Sequence, residues 1–249
     1  MAVLLNLSFY ENLLLGLPNV LENVPRIRNV IIYKKQACER LLLNSWEQRH
    51  CCILPQDLKE FYLSTDGLKL VWSYEYSPQD LREVGYMHIR SITEFVQLST
   101  LKDELEQNPV EDAPRIGQKS RIIEFDNIDN LAKVLMIYEE SEKTPKFWLL
   151  DLPSEHNNNK QQWTLLANSF SQYLRMSIAH LGLPQWQLCF SKQGMLPWAE
   201  QLFMLIAPHL LLPEPGHVVI PAPDVTENII DESIFKPKPR VSKPTFRTN

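Results

Sequence analysis

The 249-residue chain reads as an α+β protein, and three features of the sequence say so. Segments with apolar residues at helical spacing lie towards both ends, and a strand-rich stretch with alternating apolar residues lies between them. Two of the strands, at 132–138 and 146–152, are joined by EESEKTP, a charged turn of hairpin length. Glycine is scarce: there are seven, and the closest two, Gly182 and Gly194, lie twelve positions apart. No glycine-rich phosphate loop and no G-x-S-x-G elbow can be written, which argues against nucleotide-cradling folds and the usual serine hydrolases.

In chain order, Leu4, Leu7, Leu14 and Leu17 predict an amphipathic opening helix stopped by Pro18. Residues 27–32, with alternating Ile27, Asn29 and Ile31, predict a short strand. Residues 36–49 predict a helix carrying Leu41, Leu42 and Trp46, with Trp46 turned to the core. Pro55 opens the next helix, where its missing N–H costs nothing, and Leu58, Phe61 and Tyr62 share one face. Asp66-Gly67 ends it, because glycine is free to take φ > 0. A strand at 68–76 follows, with Leu68, Leu70 and Trp72 on one side, then shorter strands at 86–89 and 121–125. The acidic, proline-broken stretch 102–119 predicts an exposed loop. The strongest helical pattern spans 163–181, with Leu166, Phe170, Tyr173, Leu174, Ile178 and Leu181 in one stripe and Gly182 as its stop. Pro197 starts a last helix, to about 207. Residues 213–249 hold seven prolines and little periodicity, which predicts an extended tail. The expected division is a folded domain over 1–212 and a tail over 213–249.

Charge separates the same two parts. Residues 236–249 hold five basic residues and no acid, leaving 20 basic against 30 acidic residues in the rest, a net of −10. A basic, proline-spaced end on an acidic body suits a short contact strip for a polyanion, or else a solubilising terminus. Without aromatic interleaving it does not specify nucleic acid. The cysteines Cys38, Cys51, Cys52 and Cys189 form no C-x-x-C, and the six histidines are never closer than eight positions. No metal, cofactor or catalytic residue is expected from them, and the few unpaired cysteines suit a reducing compartment. His88, His180 and His209 stand alone and read as structural or surface residues. The apolar opening segment lacks a basic n-region and is interrupted by Asn6, Glu11 and Asn12, so no membrane span or signal is expected, and a soluble intracellular protein is.

Two stretches carry a resemblance. ILPQDLKEFYLSTDGLKLVW (53–72) is similar to the signature of the SMI1/KNR4 superfamily, and WTLLANSFSQYL (163–174) resembles that family's closing helix. The resemblance implies a mostly antiparallel sheet flanked by helices. Ser45-Trp46-Glu47-Gln48, and His180 to Gln187 (HLGLPQWQ), resemble a narrower group, the non-catalytic subunits of tubulin polyglutamylase complexes. This implies a scaffold or adaptor that positions a tubulin-tyrosine-ligase-like catalytic subunit, the other subunits or tubulin tails. It also implies no chemistry of the chain's own, and a cytoplasmic, microtubule-associated place that includes the centrosome or ciliary base. The alternatives are a generic SMI1/KNR4 interaction module in an unrelated complex, and an enzyme with an unrecognised site.

On that reading the candidate partner-binding residues are Pro184, Trp186, Trp198, Phe203, Lys236, Lys238 and Arg240. Trp186 follows the helix stop at a surface corner, as a partner anchor or folded back as a cap on the core. Trp198 and Phe203 lie on the last helix, which either docks on a partner or closes on its own chain as a lid. The three tail cations have the right sign for glutamate-rich tubulin tails. The acidic stretch 103–112 has the wrong sign and would face away from them or meet a basic partner.

Overall fold

The structure is a computed structural model, and it describes residues 9–107, 110, 112–140, 142–153 and 161–211. The predicted tail, including Lys236, Lys238 and Arg240, and Leu4 and Leu7 of the opening segment lie outside the described residues. Among the described residues eight strands form two antiparallel sheets. The first joins β1 (Ile27–Tyr33), β2 (Leu68–Ser77) and β3 (Asp80–Ile89) in that order. The second joins β4 (Val96–Gln97), β5 (Arg121–Ile128), β6 (Ala132–Tyr138), β7 (Lys146–Asp151) and β8 (Gln162–Ala167). Helices α1 (Leu17–Asn23), α2 (Arg40–His50) and α3 (Gln56–Ser64) precede or interrupt the first sheet. The helix α4 (Ser99–Gln107) lies in the second sheet's sequence, and α5 (Phe170–Ala179) and α6 (Pro197–Ile206) follow it. The architecture is α+β, with antiparallel sheets flanked by helices.

One core unites the sheets. Leu58, Phe61 and Tyr62 of α3 are fully buried, as their spacing predicts, and Phe61 meets Phe170 of α5 with ring centroids 5.0 Å apart. Phe125 of β5 and Phe147 of β7 meet edge to face at 5.0 Å, and Phe147 stacks on Tyr173 of α5 at 5.5 Å. Leu68, Leu70 and Trp72 of β2 complete this core, and Trp46 is buried with them. A second cluster, Leu105, Ile122, Leu135, Ile137, Leu150 and Trp163, lies apart from it. The five-stranded sheet is thus buried on both faces, which is why β6 reads as a nearly continuous apolar run.

The structure corrects six expectations. Pro18 begins α1 rather than ending a helix: the chain turns at Leu15 and Gly16, both at positive φ, and the proline sits in the first turn of the new helix. In β1 a bulge between Arg28 and Ile31, with Asn29 at φ 54°, breaks the alternation, so Ile31 faces outward. The helix predicted from residue 36 starts at Arg40, and Leu41 is exposed. The strand expected at 86–89 begins at Asp80, because β2 and β3 form one long hairpin with Ser77 opposite Asp80. Part of the expected loop at 102–119 is α4, held by buried Leu105. The stripe at 163–181 is two elements: β8, then α5, divided where Ser169 caps the helix by accepting a hydrogen bond from the Gln172 N–H at 3.1 Å.

Candidate functional site

A cleft of about 310 Å³ lies between the two sheets. β3 forms one wall, from Glu83 to Ile89; the end of β5 and the turn after it, from Asp126 to Asp129, form the other. Residues 183–187 and Trp198 close the remaining side. The walls approach closely because, past the end of α5, the chain turns at Leu181 and Gly182, at φ 59° and 63°, and the Gly182 carbonyl accepts a hydrogen bond from the Tyr86 N–H at 2.7 Å. The Trp72 indole N–H adds a bond to the Leu181 carbonyl at 2.9 Å.

Most polar groups of the cleft are turned on one another. Asp126 accepts from the Asn127 N–H at 2.9 Å, the Gln187 amide at 3.2 Å and the Tyr173 hydroxyl at 3.4 Å. Burial pushes its carboxyl up to about 6, against the lowering effect of the Asn127 bond. Asp129 accepts from the Gln185 amide at 2.9 Å, and the Gln185 side-chain oxygen accepts from the Leu196 N–H at 3.1 Å. The stretch LPQWQ therefore stitches the chain after α5 to the β5–β6 turn and to the start of α6. Exposed Tyr86 and Trp198, at 47% and 46%, are the aromatic groups at the opening. This arrangement offers shape and aromatic contact; it holds its own hydrogen-bonding groups rather than presenting them.

The predicted residues divide accordingly. Pro184, Trp186 and Trp198 all line the cleft. The placement of Trp186 at a surface corner is corrected: it is 3% exposed, stacked on His180 at 5.1 Å, and caps the core. A left-handed residue at Gln185 turns the chain inward there and sends the indole under the surface. Phe203 is fully buried on the inner face of α6 with Ala199 and Leu202, so the helix closes on its own chain through that face. Trp198, Met204 and Leu205 stay exposed on α6. His180 donates from Nδ1 to the Met176 carbonyl at 2.7 Å, and burial holds its imidazole below the ordinary range. Burial likewise pushes the thiols of Cys38, Cys52 and Cys189 up to about 11. Among the described residues no group of three or more His, Cys, Asp or Glu side chains could hold a metal ion. None of the described helices is long and apolar enough to cross a membrane. Sequence reasoning missed Tyr86, Asp126 and Asp129; Tyr86 and His88, two apart between buried Gly85, Met87 and Ile89, were the available signal for the first.

Residues 39–176 match the model of the SMI1 / KNR4 family (SUKH-1), which spans α2 to most of α5. The chain belongs to the SMI1/KNR4 family. Over a longer stretch it is similar to proteins named tubulin polyglutamylase complex subunit 2. The Rattus norvegicus protein is 29% identical over 94% of this chain and 83% of its own length. The Homo sapiens protein is 31% identical, covering 80% of this chain and 70% of its own length. The Mus musculus protein is 30% identical, over 80% and 71%. No solved structure matches the chain.

Proposed function

We propose that the chain is a non-catalytic subunit of a tubulin polyglutamylase complex and that it works by binding. The observation that carries this reading is the similarity to relatives of that name over at least 70% of their length. The scaffold fixes a tubulin-tyrosine-ligase-like catalytic subunit, its companions or tubulin in relative position. Holding a substrate near a catalytic centre raises its effective concentration without any chemistry by the scaffold. The cleft agrees with this role, since its walls are knitted internally and its mouth carries exposed aromatics, the residue type that anchors interfaces. Trp198, with Pro184 beside it in the cleft and Met204 and Leu205 further along α6, is the proposed subunit contact. Lys236, Lys238 and Arg240 are the proposed contact with acidic tubulin tails, in a microtubule-associated setting that includes the centrosome or ciliary base.

The test is to tag the chain in its own cells and identify what purifies with it. A ligase-like protein in stoichiometric amount supports the proposal. A different stable set of partners replaces it with an interaction module of another complex, and glutamylation by the isolated chain given ATP and glutamate makes it an enzyme. Neutralising the three tail cations together lowers tubulin co-sedimentation at low ionic strength and leaves subunit recovery intact. Unchanged tubulin binding removes the tail from the mechanism.

A further inference from the structure

The outer face of the three-stranded sheet meets the cleft at Tyr86 and His88 and carries further chemistry outside it, at Tyr33, Lys35 and Lys69. Register places Tyr33 of β1, Lys69 of β2 and His88 of β3 in one row, and Ile31, Val71 and Tyr86 in the next. The Lys69 ammonium lies over the Tyr33 ring at 5.0 Å and the Tyr86 ring at 5.9 Å, so two aromatic shelves stand on either side of one cation. Ile31, Tyr33 and Tyr86 are 44%, 47% and 47% exposed. Lys35, just beyond β1, completes the group. Neither Lys35 nor Lys69 is ion-paired among the described residues.

The local field is positive on an otherwise acidic molecule. Burial holds the His88 imidazole low, and the charges of Lys35, Arg90 and Lys69 push it the same way, opposed by Glu94. Around Tyr86 the sign changes: burial first, and then the charges of Asp126, Glu83 and Glu94, raise its hydroxyl, and Arg90 opposes them. The cationic part of the face therefore ends at β3, where the acidic cleft begins.

We propose that this face, centred on Lys69 between Tyr33 and Tyr86 and extended by Lys35, docks a short acidic peptide. A carboxylate-bearing segment would pair with the two ammonium groups while its stems lie on the tyrosine rings. The size of the patch selects the occupant. A duplex or a membrane surface extends well past two lysines and would meet the surrounding acids of a chain with net charge −5. A few glutamates fit within it. The choice of a glutamate-rich peptide rests on the proposed function; the choice of surface does not.

The experiment titrates the full-length chain into fluorescein-labelled deca-glutamate at low ionic strength and follows anisotropy. Lys35→Gln with Lys69→Gln weakens binding roughly three- to tenfold, the range two exposed charge pairs supply. Tyr33→Ala with Tyr86→Ala weakens it, and Tyr33→Phe does not, because the ring rather than the hydroxyl faces the ammonium. Glu83→Gln with Glu94→Gln strengthens it. Thermal melting of each variant, expected within a few degrees of the parent, shows that the fold is kept. The proposal is overturned if the lysine pair can be neutralised without effect, if neutralising the tail alone abolishes binding, or if a phosphate polymer or anionic vesicle competes on the same residues at lower concentration. Co-purification run in parallel separates the two readings. Loss of the ligase-like partner from the parent chain defeats the proposed function, while the peptide titration alone decides this face.

Discussion

Gly85 stands where the Trp72 indole crosses the β3 backbone, and a Cβ there would overlap the indole ring. Trp72 is fully buried and its N–H is committed to Leu181, so it has nowhere to retreat. Gly85→Ala therefore costs at least about 1–3 kcal/mol of stability, as overpacked cores do, read as a lower urea midpoint. Asp126 gives a pH test of the same packing. Its carboxyl is raised by burial from the ordinary range near 4 to about 6, so the fold favours the protonated acid. That contribution is full below pH 4 and is lost as pH rises through 6. Asp126→Asn should gain stability relative to the parent across pH 4 to 7, measured as the difference in denaturant midpoints; a difference flat with pH would refute the assignment. Neither residue was legible as special from sequence. A glycine in a strand and an aspartate near a turn are ordinary until β2 and α5 are brought against them.

At the scale of elements, legibility followed how much of each element's signal was local. α3 is nearly complete in the sequence, because Pro55, the Leu58–Phe61–Tyr62 face and Asp66-Gly67 all lie within thirteen residues. β6 and β7 were legible for the same reason, with a charged turn between two apolar runs. The stretch 163–181 misled because a strand and a helix there keep the same apolar residues in phase. Trp163, Leu166 and Ala167 are buried in β8 while Phe170, Tyr173 and Leu174 are buried in α5. What separates them is Ser169, in extended backbone with its hydroxyl on the Gln172 N–H, and Asp57 across the core, which accepts from the Ser171 N–H at 2.8 Å and its hydroxyl at 3.0 Å. Ser169→Ala should cost about 1 kcal/mol, seen in thermal melting and in faster amide exchange through the first turn of α5. The cleft was half legible: HLGLPQWQ marked one wall, but the partners of its glutamines lie some sixty residues earlier in the chain.

Taken whole, the molecule has two sheets but ties that make them one cooperative unit. The core cluster runs without a break from Leu70 and Trp72 of the first sheet to Phe125 and Phe147 of the second. The Tyr62 hydroxyl donates to the Arg90 carbonyl at 2.8 Å, and the Tyr138 hydroxyl to the Ile53 carbonyl at 3.0 Å. Between the sheets Glu124 of β5 accepts from Arg90, just past β3, at 3.2 Å and from Lys133 of β6 at 2.7 Å. Burial would raise the Glu124 carboxyl, yet the bonds from Lys133 and Arg90 outweigh it and hold the carboxyl below its ordinary range. A depressed carboxylate stabilises the fold above its unfolded pKa, near 4.3, and that contribution is lost as pH falls through the folded value. Glu124→Gln should therefore lower the stability by roughly 1–3 kcal/mol at pH 7, the range for hydrogen bonds to charged groups, and by progressively less below pH 4. If the sheets form one unit, tryptophan fluorescence and far-UV circular dichroism will trace a single coincident transition in both parent and variant. Two separated transitions in the parent would mean that the sheets unfold independently. Two in the variant alone would make Glu124 the bond that couples them, because the variant keeps every apolar contact between the sheets.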